Sequence, residues 1–253
     1  MDWERLVSLE LYHFLFVFAR VGGAFLFMPF FASTYAPNRV RLLFALALAV
    51  VLTPSLGQYL PPQPRNVPDL FRLLRLETTV GVFLGMIPFF LMTAIDLTGV
   101  NAAMATSFSN ATVLDPQTNV QSTVLTSFLT LTAVLLIVVT DLHHVMLGAV
   151  LASYKIFPAG QALLTGDMTR TLARTLGQAF VCGFEIGSPF IVMIVLLYSS
   201  MGVMSRLMPQ LNIMFVVMPL QVWLGLALTM VSLPMMMWWF LEFFQDGLRP
   251  FAL

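Results

Sequence analysis

Six stretches of the chain are apolar over about the length a helix needs to cross a bilayer: residues 9–31, 42–60, 76–100, 124–152, 176–203 and 213–241. Roughly 20 mostly apolar residues span the hydrocarbon core. In that solvent every backbone polar group must be satisfied by the protein itself, which favours helices. Several stretches exceed one crossing and are interrupted by proline or charge. The composition agrees: 59% of the 253 residues are hydrophobic and 9% charged, against about 25% charged in soluble domains. The pattern predicts an all-α, membrane-associated protein of about six long, kinked apolar helices.

Other classes fall away. Twelve basic residues balance twelve acidic ones, so no polyanion, and no nucleic acid, is expected as a partner. The lone Cys182 excludes an internal disulfide and disfavours a cysteine metal site. The start, MDWERLVSLEL, does not read as a secretory signal peptide. No Gly-rich phosphate loop is visible.

The charges inside the apolar stretches are informative, because they are expensive there unless paired. Stretch one holds Glu10, His13 and Arg20 with Gly22-Gly23 and Pro29. For Arg20 two readings stand: snorkelling at a helix end, or pairing with Glu10 or with a group on a distant helix or another subunit. Stretch three holds Glu77, Gly81-x-x-x-Gly85, Pro88 and Asp96, and stretch five holds Gly183-x-x-x-Gly187 around Glu185, then Pro189. Small residues at that spacing let helix backbones approach closely. Residues 61–75, with four prolines and three arginines, predict an exposed elbow. Residues 153–175 read as a loop whose second half starts a helix with Asp167 as cap. Trp238 and Trp239 look like an interfacial belt. Lys and Arg number eight in the N-terminus, loops two and four and the tail, against three in the other loops. That puts both termini in the cytoplasm if every stretch crosses.

The central stretch, residues 101–123, is rich in Ser, Thr, Asn and Gln with the single charge Asp115 before Pro116. The residue before proline is pushed out of the helical region. Non-helical backbone in hydrocarbon must sit against protein or line an aqueous path. Either this is a structured inner loop with a job, or it is an ordinary loop on one membrane face.

Asp141, His143 and His144 invite a metal or proton-relay reading. Successive helical residues point about 100° apart, so the two histidines are not expected to share a face, and helix-end hydrogen bonding is the preferred role. A hydrolase lacks any G-x-S-x-G motif, and Asp96 and Asp141 stand in surroundings too unlike for an aspartyl pair. Among the 17 methionines, Met201, Met204 and Met208 follow helical spacing and Met214 and Met218 continue after the turn; core packing is preferred for them over sealing around a variable partner.

These residues carry a resemblance. The chain resembles, over nearly its whole length, the FliR family of flagellar biosynthetic proteins and their counterparts in virulence type III secretion. The similar segments are Pro37-Asn38-Arg39-Val40-Arg41-Leu42, Glu77 with Gly81 and Gly85, Leu114-Asp115-Pro116, and His143-His144 with Ser153 and Pro158-x-Gly160. The most specific is Arg206-Leu207-Met208-Pro209-Gln210-Leu211-Asn212 with Pro219-Leu220. Leu142 and Val100 depart from the family's usual glycine and acid.

The resemblance implies a non-enzymatic subunit of a type III protein export gate, in the bacterial inner membrane or flagellar basal body. It needs no cofactor and no metal. Its partners are FliP-like and FliQ-like subunits in one hetero-oligomer, an FlhB-like protein, the membrane, and unfolded secretion substrates. The chain is then one domain, 1–253, with a FliP-like part at 1–175 and a FliQ-like part at 176–253. Thr106, Ser107, Phe108, Ser109, Asn110, Ala111, Thr112, Val113, Leu114 and Asp115 are expected to plug the closed channel. Arg20, Gly81, Gly85, Gly183, Glu185, Gly187, Arg206, Pro209 and Gln210 are expected at helix packing or subunit contacts. The alternative is a small-solute secondary transporter using Asp96, Glu185 or Asp141 as an ion site.

Overall fold

The computed structural model describes residues 3–32, 37–62, 64, 66–107, 124–161, 165–208, 210 and 213–251. All regular structure among them is helical: α1 (Trp3–Phe25), α2 (Asn38–Leu56), α3 (Val67–Ala105), α4 (Val124–Val139), α5 (Leu142–Ile156), α6 (Thr165–Leu207) and α7 (Ile213–Leu248), with short 3-10 turns at Gly57–Tyr59 and Arg249–Phe251. Four helical segments are long and apolar enough to cross a membrane: Asn38–Tyr59, Val67–Ala105, Thr165–Leu207 and Val217–Phe251. The pair α4 and α5, bent by 71° at its break, makes a fifth as one broken span. This is an all-α membrane protein.

The helices run further than the apolar pattern suggests. With 39 residues in α3 and 43 in α6, their lengths are about 58 and 64 Å at 1.5 Å per residue. A hydrocarbon core is about 30 Å thick, so neither matches a single upright crossing. The elbow expected at 61–75 is half helix, because α3 starts at Val67 and Pro68 falls in its first turn, where a missing N–H is harmless. Likewise α6 starts at Thr165, so Asp167 lies inside its first turn and is not the cap. A carboxylate there still favours the positive end of the helix dipole. Pro54, Pro88, Pro189, Pro219 and Pro234 all lie within helices. Freed carbonyls are tolerated where other helices cover them. α1 does end before its proline, Pro29.

Contacts divide the chain into two units. The first comprises Met1–Leu91, Val138–Thr175 and Gln245–Leu253; the second comprises Met92–Ile137 and Leu176–Phe244. In the first, α1 packs along α2, and Phe25, Phe31 and Phe44 stack with ring centroids 4.3–5.8 Å apart. Phe16, Val21, Ile87, Met146 and Leu248 are buried there. In the second, Ile95, Leu129, Ala179, Phe190 and Phe240 are buried. Threonine hydroxyls in the apolar interior bond carbonyls one turn back, as Thr98 does to Ala94 and Thr229 to Gly225, which pairs those donors within their own helices. Met204 and Met208 are exposed, so core packing does not describe them.

Candidate functional site

In the first unit, glycine brings α1 and α3 backbone to backbone. A Cβ at Gly81 would collide with the Arg20 carbonyl, one at Gly85 with the Ala24 carbonyl, and one at Gly23 would lie 2.8 Å from the Thr78 carbonyl oxygen. That approach seals Arg20 completely from solvent. Its Nε donates to Glu77 Oε2 at 2.7 Å, Nη1 to Ser153 Oγ at 3.0 Å and Nη2 to the Phe157 carbonyl at 3.1 Å. The guanidinium also lies 3.8 Å from the Tyr154 ring centroid. Ser153 Oγ in turn donates a hydrogen bond to the Val150 carbonyl at 2.6 Å. The Gly160 backbone donates to Glu77, from a φ of +83° that favours glycine. Arg20 thus ties α1 to α3 and to the end of α5. It neither snorkels nor pairs with Glu10.

That partner was missed although both residues were noticed. The signal was register: Arg20 faces Gly81 and Ala24 faces Gly85, four residues apart on both helices, so Glu77 lies one turn before the Arg20 level, where an arginine side chain leaning toward the N-terminus of its helix reaches it.

In the second unit, glycines seat α3 against other helices. A Cβ at Gly183 would lie 2.8 Å from the Ala94 carbonyl oxygen, one at Gly187 2.7 Å from Asn101 Nδ2, and one at Gly99 2.8 Å from Thr126 Cα. Both glycines of the α6 motif are thus occupied within the chain. Glu185 sits on the opposite face, exposed, with no ion pair among the described residues. Asp96 is exposed and accepts from Thr130 Oγ1 at 2.7 Å. Glu77 is the one buried carboxylate among the described residues, and Arg20 already occupies it.

Of the plug residues, Thr106 and Ser107 are described, and 108–115 lie outside the described residues. Thr106 is fully buried and fills the space that a side chain on Gly225 of α7 would need. Ser107, at φ +58°, donates its hydroxyl to Oε1 of the buried Gln221. Arg206 and Gln210 are exposed, and Pro209 lies outside the described residues.

Asp141 and the two histidines do come together, contrary to the expectation from helical angles. Both histidines lie in the first turn of α5, and Asp141, at φ +58°, precedes it; their side chains leave the helix about 100° apart, yet the imidazoles turn toward one another. The imidazole centroids lie 4.1 Å apart, and His144 Nδ1 is 3.4 Å from Asp141 Oδ1. Asp141 makes no side-chain cap bond to α5; its carbonyl accepts from the His144 amide at 3.0 Å.

The model of the family described as bacterial export proteins, family 1, matches residues 11–247. The flagellar biosynthetic protein FliR of Caulobacter vibrioides is 33% identical over 226 residues, 89% of this chain and 90% of its own length. FliR of Bacillus subtilis is 28% identical, over 87% of this chain and 85% of its own. FliR of Aquifex aeolicus is 27% identical, over 98% and 93%.

Proposed function

This chain belongs to the bacterial export proteins of family 1, among the FliR-type flagellar biosynthetic proteins, and we propose that it is a non-enzymatic subunit of the flagellar type III protein export gate. The observation that carries this reading is the sustained match, 33% identity across 90% of a FliR protein. The surface agrees with it. Leu196 of α6 and Trp223, Met230 and Val231 of α7 are each at least 63% exposed, as suits a chain whose helices meet lipid or other subunits. Its place is then the inner membrane at the basal body. Its neighbours are FliP-like and FliQ-like subunits with an FlhB-like protein nearby, and its cargo is unfolded secretion substrates. In this reading residues 1–175 are the FliP-like part and 176–253 the FliQ-like part.

Residues 106–115 serve as the plug of the closed channel. The segment carries no charge before Asp115, so it favours no substrate by charge. Phe108, Val113 and Leu114 can supply a dry constriction. Thr106 and Ser107, held against α7, give the segment a fixed root. The test deletes 108–114, leaving that root in place. Assembly should persist, with FliP- and FliQ-like chains co-purifying, while membrane conductance and small-molecule uptake rise. Tight membranes around a confirmed complex would refute the plug.

A further inference from the structure

We propose that Asp141, His143 and His144 form a binding site for a divalent cation of the zinc class, at the break between α4 and α5. The three residues each offer a ligand atom, and all of these atoms lie within 4.8 Å of one another. Bonds of about 2.0–2.1 Å around a tetrahedral ion set ligand atoms roughly 3.3 Å apart. His144 Nδ1 and Asp141 Oδ1, at 3.4 Å, already match one edge of that figure. The third donor, from His143, lies within 4.8 Å of both. Two imidazole nitrogens with one carboxylate suit zinc, cobalt or nickel. Magnesium and calcium take oxygen ligands.

Two independent observations point the same way. Nδ1 of His143 is shut off from solvent and has no hydrogen-bond partner, and a buried polar atom left so requires an explanation. A lone pair directed at a metal is one. Asp141 is one of three non-glycine residues with positive φ among those described. Such backbone is strained, and strain of this kind clusters at binding sites. Here it lets the carboxylate and the His144 ring of the first turn meet.

The positive end of the α5 dipole opposes a cation, and the Asp141 charge offsets it. Asp141 and His144 are exposed, with side chains 77% and 69% accessible, so the ion has a path in. Three protein donors leave coordination positions for water or for a donor from a neighbouring subunit.

The assembled complex, purified without a polyhistidine tag and stripped with chelator, is titrated with Zn²⁺ by calorimetry. A parallel titration with Co²⁺ follows its visible absorption. One saturable ion per copy of the chain is expected, with affinity about tenfold lower or worse in His143→Ala and His144→Ala. Asp141→Gly is the deciding variant, because glycine accepts the left-handed backbone while the carboxylate is lost. It should assemble normally and bind Zn²⁺ weakly. No saturable uptake by the wild-type complex, or an Asp141→Gly complex that titrates like it, would overturn the site.

Discussion

Arg20 and Glu77, 57 residues apart in the chain, meet at 2.7 Å with side chains 0% and 2% exposed. Burying two charges is favourable only when the remaining donors and acceptors are satisfied as well. Here Ser153 and the Phe157 carbonyl complete the guanidinium's set, and the Tyr154 ring adds a cation–π contact. The arrangement makes the pair far more costly to halve than to replace.

Arg20→Ala and Glu77→Ala should therefore each destabilise by roughly 3–5 kcal/mol, seen as a lower melting temperature and a lower yield of assembled complex. The double variant Arg20→Met, Glu77→Leu should be milder than either single change. A double variant as damaging as the sum of the singles would show that the two residues act independently.

Gly85→Leu and Gly187→Leu should abolish assembly, since a side chain at either position meets the Ala24 backbone or Asn101 and forces the helices apart. Gly148 and Gly202 are the contrast: an added methyl meets nothing within 4 Å there. Their alanine variants should be neutral, or more stable by about 0.5–1 kcal/mol, in thermal melts of the complex. Lost assembly in Gly202→Ala alone would mark a subunit contact on that face of α6.

Ser107→Ala leaves the buried Gln221 without its partner, at a cost of about 1–3 kcal/mol. Adding Gln221→Leu removes the stranded amide and should recover most of that loss. Thermal melts of both variants measure it, and no recovery would mean that Gln221 has another partner in the complex.

Glu185 is exposed on the side of α6 away from Gly183 and Gly187. On the proposed export-gate reading, with a neighbouring subunit's cation pairing this carboxylate, Glu185→Gln should leave the fold of the chain intact yet lower the recovery of FliP- and FliQ-like partners. Unchanged recovery at low and high salt would place this carboxylate in water.

The helices were legible because apolar runs of this length have few other ways to satisfy their backbones. Residues 124–152 exceed one crossing and carry Asp141 within them, and the helix breaks there. Helix ends were less legible. Proline reads as a stop, yet Pro68 sits harmlessly in a first turn, and Pro88 and Pro189 interrupt nothing that the sequence alone could see being covered. The Arg20 partner escaped because a contact across 57 residues leaves no local mark. Only the matching four-residue steps of Arg20/Ala24 and Gly81/Gly85 encode it. The meeting of His143 and His144 was hidden for a different reason. The 100° between successive residues fixes where side chains leave the helix, not where the rings swing, and in the first turn of α5 the two imidazoles close to 4.1 Å.

The first unit joins segments made early, midway and late in synthesis. Arg20 leaves the ribosome long before Ser153 and Phe157, and Leu91 waits for Gly247, whose backbone leaves no room for a side chain against it. A nascent chain thus carries Arg20 within an apolar stretch with no carboxylate until Glu77 is made, and with an incomplete set of acceptors until Ser153 and Phe157 follow. Whatever receives it must shelter that charge until the later residues arrive, so the timing of biogenesis is written into the order of the segments.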